Sequence, residues 1–128
     1  MAVAYIDSSC VVALAFGEPG ARRLAATLSR FERLLSSNLL EAEVRAAFVR
    51  EDVAPRADIC AGLDWILPDR PLTLEIDRVA ALGGLRGADL WHVACALYLD
   101  PTAEELAFVT LDVAQRRVAA AAGFATPR

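Results

Sequence analysis

The chain has 128 residues, a formal net charge of −4 and a hydrophobic content of 56%. This length suits one domain with a buried core, and no apolar run reaches the roughly 18 residues needed to span a bilayer. All thirteen basic side chains are arginines, so enzyme classes that need an active-site lysine are excluded, and the acidic balance argues against a broad basic surface for nucleic acid.

The cysteines Cys10, Cys60 and Cys95 are odd in number and lack the spacing of a metal site. Each lies in an apolar context, where a free cysteine packs like a small hydrophobic residue. We therefore expect buried, reduced thiols and a soluble, cytoplasmic protein.

The first half of the chain predicts two strands and three helices. The apolar run Val3–Ile6 predicts a buried strand that ends at Asp7, and Leu34–Ser36 predicts a second strand. The predicted helices run from Cys10 to about Phe16 with Ser8 or Ser9 as cap, from Ala21 to Arg30, and from a cap at Ser37 or Asn38 to about Glu51.

The second half continues the alternation of helices and strands. Pro55 predicts the start of a helix that ends before Pro68, and Leu72–Leu74 predicts either a third strand or an extended connection. The remaining predicted elements are helices at Glu75–Leu82, Ala88–Leu99 and Val113–Ala122, a strand at Ala107–Leu111, and a short edge strand at Phe124–Ala125. This order predicts an α/β sandwich with a mostly parallel sheet and helices on both faces.

Acidic residues follow the predicted strands at the positions where parallel sheets carry their functional groups. Asp7 follows the first strand, Asp112 follows the late strand, and Asp89 lies in the first turn of a helix. Carboxylates that cluster without histidine or cysteine ligands suit Mg²⁺ or Mn²⁺, which choose oxygen ligands. Such a site fits phosphodiester chemistry, although an acid at a helix start also serves a purely structural role.

Four sequence runs carry a family resemblance, in order along the chain. They are Tyr5–Ser9, Ser36–Arg45, Leu85–Ala94 and Val109–Asp112. Together they resemble the PIN domain, and in particular the VapC toxins of bacterial toxin–antitoxin pairs, over nearly the whole chain as a single domain, 1–128. The resemblance implies a five-stranded parallel sheet of order 3-2-1-4-5 and a Mg²⁺ pocket, with Mn²⁺ as a substitute, that cleaves single-stranded RNA.

The resemblance also assigns roles to the acidic residues. Asp7, Asp89 and Asp112 match three acids of the family pattern as catalytic and metal-binding residues, Asp112 through water. The remaining position is Glu41 or Glu43, which a helix places about 200° apart, and the helical wheel alone leaves both open. The family pattern, a glutamate directly before Val-Arg, selects Glu43.

Further residues are candidates for substrate contacts. Ser8 and Ser9 are candidates for binding metal-bound water or a phosphate, with helix capping as the alternative, and Thr110 is assigned to orienting the pocket. Arg86 lies three residues before Asp89 and is expected to contact a phosphate, with a surface ion pair as the alternative. His92, one turn after Asp89, is interpreted as a packing residue rather than a metal ligand. Trp65 and Trp91 are assigned to core or dimer packing, with stacking on a base as the alternative.

The resemblance implies a VapB-type antitoxin and a second copy of the chain as partners, beside the RNA substrate. A receiver domain or a haloacid-dehalogenase-like phosphatase is excluded because both need a lysine. The surviving alternative is a catalytically inactive PIN-like scaffold that binds RNA or a protein partner.

Overall fold

The fold is seen in a computed structural model that describes residues 2–56 and 58–128. Within these residues it contains four strands and six helices. The strands are β1 (Val3–Ile6), β2 (Arg33–Ser37), β3 (Leu63–Ile66) and β4 (Leu106–Val109), and the helices are α1 (Ser8–Phe16), α2 (Ala21–Leu28), α3 (Leu39–Arg50), α4 (Thr73–Ala80), α5 (Gly87–Leu99) and α6 (Val113–Ala121).

The strands form one parallel sheet in the order β3-β2-β1-β4. The predicted α/β architecture with a parallel sheet is confirmed, but the expected fifth strand is wrong in the described residues. In its place a single parallel bridge joins Ala107 to Ala125, whose carbonyl accepts a hydrogen bond from the Phe108 amide at 2.8 Å. One bridge is too short to count as a strand.

Helices cover both faces of the sheet. Successive side chains of β1 point to opposite faces, so this strand contributes to the core on each side. Ala4 and Ile6 pack into a core with helices α1, α2 and α3, whereas Tyr5 packs into a second core with helices α4, α5 and α6. Every side chain from Ala4 to Asp7 is buried. The central strand therefore delivers its final residue into the interior of the protein.

The region between α3 and α4 differs most from the sequence prediction. The helix predicted from Pro55 is wrong: residues 53–56 are not helical, 58–62 form turns, and 63–66 form β3; Ala57 lies outside the described residues. Among the described residues this strand pairs with β2 alone, and its residues Asp64 and Trp65 are exposed. Both alternatives for Leu72–Leu74, a third strand and an extended connection, are also wrong, because Thr73 begins α4.

The start of α1 also corrects a prediction, because neither Ser8 nor Ser9 caps the helix. Asp7 occupies the N-cap position with extended backbone angles and makes no side-chain capping bond. The other elements lie within a few residues of their predicted bounds. Within the described residues, no helix is long and apolar enough to cross a membrane.

Candidate active site

The carboxyl ends of β1 and β4 meet at the point where the chain leaves the sheet in two directions. Ile6 pairs with Val109 across these strands, so Asp7 and the loop from Thr110 to Asp112 emerge side by side. Since β2 lies on the other side of β1, this is the switch point of the sheet, where open parallel sheets place their ligands.

Asp7 is a buried carboxylic acid at this switch point, with only 2% of its surface exposed. Burial raises its pKa above the ordinary value of 3.8, and the nearby charge of Asp89 adds to the rise. A hydrogen bond from the Ser9 hydroxyl to Oδ1, 2.6 Å long, opposes the rise. The site therefore holds Asp7 at a cost that an added cation would offset.

Asp89 lies near each of the other three acidic residues, as the effects on carboxyl pKa values show. Its pKa is raised by partial burial and then by the charges of Asp112 and Glu43, while Asp89 in turn raises the pKa of Asp7. Like charges act on one another in this way only when they are close. We call these four residues (Asp7, Glu43, Asp89 and Asp112) the carboxylate cluster.

Asp112 has a structural bond in addition to its place in the carboxylate cluster. Its Oδ1 accepts a hydrogen bond from the amide of Gln115 at 2.8 Å and caps α6. The buried Gln115 side chain also donates to the Asp89 carbonyl at 3.1 Å, which ties the start of α5 to α6. Sequence reasoning missed Gln115, although an N-cap acid followed by glutamine three residues later is the pattern of a capping box.

The structure places the two glutamates of α3 on different flanks of the helix. Glu43 is half-buried, bonds to His92 on α5 and acts on Asp89. Glu41 is exposed and faces the opposite region, where its charge raises the pKa of the partly buried Cys60 thiol in addition to the effect of burial. Glu43 is thus the glutamate that joins the carboxylate cluster.

A buried hydrogen-bond chain holds Glu43 in place. His92 is fully buried, and its Nε2 lies 2.5 Å from Glu43 Oε1 while its Nδ1 lies 2.6 Å from the Tyr5 hydroxyl. An ionised carboxylate can only accept, so Nε2 carries a proton. Burial raises the pKa of Tyr5 well above 10.0, so its hydroxyl stays protonated and has a proton to donate to Nδ1.

The Tyr5 hydroxyl also accepts a hydrogen bond from the Ser37 amide at 3.3 Å, so the chain of bonds ends on the backbone of β2. His92 is therefore more than the packing residue expected from the sequence. Its position three residues after Asp89 placed it on the same helix face, but its partner on α3 was visible only in three dimensions.

The remaining candidates have distinct surroundings. Thr110 is buried, accepts from the Asp112 amide at 3.0 Å and lies 3.3 Å from the Ser9 hydroxyl. Ser8 is partly exposed and makes no side-chain hydrogen bond within the described residues, so Ser9 is the serine that contacts Asp7. Arg86 is exposed next to Asp89 and lowers the pKa of that carboxyl.

Comparison with protein families finds that residues 4–121 match the PIN domain. The chain belongs to the PIN-domain family. PIN domains are generally nucleases, which are hydrolases, and typically use divalent metals. The chain matches no curated protein sequence at a significant level.

The carboxylate cluster suits a divalent cation that binds through few protein ligands. Within the described residues, no three His, Cys, Asp or Glu side chains are close enough to form a ready-made metal cage. Mg²⁺ usually keeps several waters and binds proteins through one or two carboxylates, so it needs no such cage. Oxygen donors that raise one another's pKa fit a hard cation of this kind.

Replacing Tyr5 by phenylalanine tests the buried hydrogen-bond chain in this PIN domain. The variant Tyr5→Phe leaves Nδ1 of His92 buried without a partner, so we expect a loss of about 1–3 kcal/mol in the free energy of unfolding, measured by urea denaturation. The matched control is Tyr98→Phe, which removes an exposed bond to Asp69 and should cost less than about 1 kcal/mol. Equal losses in both variants would contradict a stabilising role for the buried bond.

Proposed function

We propose that this PIN domain is a Mg²⁺-dependent endoribonuclease that cleaves single-stranded or loop RNA, and that Mn²⁺ can replace Mg²⁺. The observation that carries the proposal is the placement of four carboxyl groups at the switch point of the sheet, where hydrogen bonds through Ser9, Thr110 and Gln115 link the segments that carry Asp7, Asp89 and Asp112. The raised pKa of Asp7 and of Asp89 agrees with this placement. A protein gains nothing in stability by collecting like charges in a partly buried site. A bound divalent cation would offset the repulsion between the carboxylates. Such a cation supports phosphodiester hydrolysis, because it activates water and stabilises the charge that develops on the phosphate.

Each carboxylate has a separate part in this proposal. Asp7 and Asp89 would hold the cation directly, Glu43 would complete the site from α3, and Asp112 would act through water because one of its oxygens already caps α6. When bound, the cation polarises the phosphodiester and makes water a better nucleophile. The chain's own residues orient the donors: Ser9 fixes one oxygen of Asp7, and His92 fixes one oxygen of Glu43.

Substrate contacts are proposed for residues around the carboxylate cluster. Arg86 is exposed beside Asp89 and suits a phosphate oxygen next to the scissile bond. Thr110 and Ser9 join the ends of β4 and β1, so they position Asp7 relative to Asp112. Ser8, which has no side-chain bond within the described residues, is open to a water or a phosphate.

In the cell, we propose that the chain is a single PIN domain that acts as the toxin of a cytoplasmic VapBC-like pair. An arginine of a VapB-type antitoxin would pair with the carboxylate cluster, so addition of the antitoxin should stop RNA cleavage.

We also propose a homodimer, which would cover exposed apolar side chains such as Val49 and Val113. Light scattering should give twice the 13.7 kDa chain mass, and a monomer at high concentration would refute it.

Hydrolysis of single-stranded and stem-loop RNA tests the proposed activity. Wild type should cleave with Mg²⁺ or Mn²⁺ and not with EDTA, and Asp7→Asn should lose at least about a hundredfold in rate because a cation ligand is removed. Asp77→Asn, an exposed acid on α4, is the control and should keep full activity. Sequencing of RNA ends after induced expression would then identify the cellular substrate.

Three results of this experiment would reject the proposal. Cleavage without a divalent cation would remove the role of the carboxylate cluster, as would an Asp7→Asn variant as active as wild type. RNA binding by a wild type that cleaves none of the substrates would favour the alternative, a catalytically inactive PIN-like scaffold.

A further inference from the structure

A cavity of about 200 Å³ lies on the α2 side of the β4 end and is rich in arginine. Its lining includes Arg23 from α2, Arg116 from α6 and Arg128, together with Leu24, Thr110 and Leu111. Among the described residues, no aspartate or glutamate contributes to the lining. We call it the arginine cavity. In a chain of net charge −4, this local concentration of positive charge suits an anionic ligand.

The three arginines are not engaged by acids of the described part of the protein. Within residues 2–56 and 58–128, the arginine ion pairs use Arg33, Arg56 and Arg70. Arg116 donates from Nη2 to the Thr110 carbonyl at 2.9 Å, whereas its Nε is buried without a hydrogen-bond partner in the same part of the chain. A buried donor of this kind normally has a partner.

The arginine cavity adjoins the carboxylate cluster through shared residues. Thr110 lines the cavity, and its hydroxyl also binds the Asp112 amide. The same loop contacts Ser9, which binds Asp7, because the Leu111 amide donates to the Ser9 hydroxyl at 3.0 Å. A polymer held at the carboxylates would therefore have its neighbouring units within reach of the arginine cavity.

The chemistry of the cavity favours a phosphodiester among possible anions. Guanidinium groups match the oxygens of phosphate with paired hydrogen bonds, and three of them line this cavity of about 200 Å³. Leu24 and Leu111 form an apolar part of the cavity wall, which suits the sugar beside each phosphate. By excluding water, this wall strengthens the attraction between the guanidinium groups and the phosphate.

We infer that the arginine cavity binds a phosphodiester of the RNA strand outside the scissile bond. This inference rests on the proposed function, because it concerns the substrate of the same site. It accounts for how an acidic protein can hold an anionic polymer: the positive charge is placed at one cavity rather than spread over the surface. The cavity would then fix which way the strand runs across the carboxylate cluster.

The test measures RNA binding apart from cleavage. A fluorescent single-stranded oligoribonucleotide is titrated with Asp7→Asn protein, and the anisotropy gives Kd at several salt concentrations. In that background, Arg23→Gln with Arg116→Gln should weaken binding about tenfold and make the slope of log K against log salt shallower by roughly 0.7 for each phosphate that is no longer neutralised. Arg116→Lys should fall between, since it keeps the charge and removes the paired bonds.

The chain offers a matched control for the removal of charge. Arg22→Gln with Arg117→Gln removes two charges from exposed neighbours in sequence that are not part of the cavity lining, and should weaken binding less than about threefold. Urea denaturation checks that each pair of substitutions leaves the fold intact. Equal weakening by both pairs would overturn the inference, because net charge alone would then explain the effect. An acidic peptide that binds wild type as tightly as RNA, and no longer binds without the cavity arginines, would overturn it too.

Failure of the inference and failure of the proposed function are distinguishable. If wild type cleaves RNA but the two pairs bind alike, the cavity has no part and the nuclease stands. If wild type cleaves no RNA while the cavity pair alone weakens binding, the cavity stands and the nuclease proposal falls. In active protein with Mg²⁺, the cavity pair should raise KM more than it lowers kcat.

Discussion

The burial of the Asp7 carboxylate at the end of the central strand is the constraint on which the site depends. Four successive residues, Ala4 to Asp7, are buried, and the last of them has a carboxyl group whose charged form burial disfavours. Asp89 and Asp112 are then held nearby by the starts of α5 and α6. The fold thus keeps several carboxyl groups close together, an arrangement that hydrophobic packing alone does not favour.

The hydrophobic core and the site are physically continuous. Tyr5 stacks on Phe108 with ring centroids 5.2 Å apart and belongs to the core under α5, yet its hydroxyl also fixes the ring of His92. Through His92, the packing of α5 on the sheet determines where the Glu43 carboxylate lies. Stability and function are therefore coupled in these residues, and a change in the core is felt at a cation ligand.

Much of this arrangement was predictable from local patterns. Asp7 and Asp112 follow apolar runs, so their strand-end positions could be inferred from the sequence, and the alternation of elements indicated the α/β architecture. The edge strand at Leu63–Ile66 has only four residues, with Asp64 interrupting its apolar run, so the local sequence does not distinguish it from part of a helix. The bond from His92 to Glu43 joins residues 49 apart, and only the packing of two helices brings them together.

The most direct test of the account is whether the carboxylate cluster binds a divalent cation through Glu43. Thermal unfolding of wild type at pH 7 should shift upward by roughly 5 °C or more with Mg²⁺ at about 100 times its Kd. Glu41→Gln should keep the shift and Glu43→Gln should lose most of it. The shift should also fade as pH falls toward the ordinary carboxyl value of 3.8, because acids of raised pKa take up protons first. No shift in wild type, or equal shifts in both glutamine variants, would contradict the account.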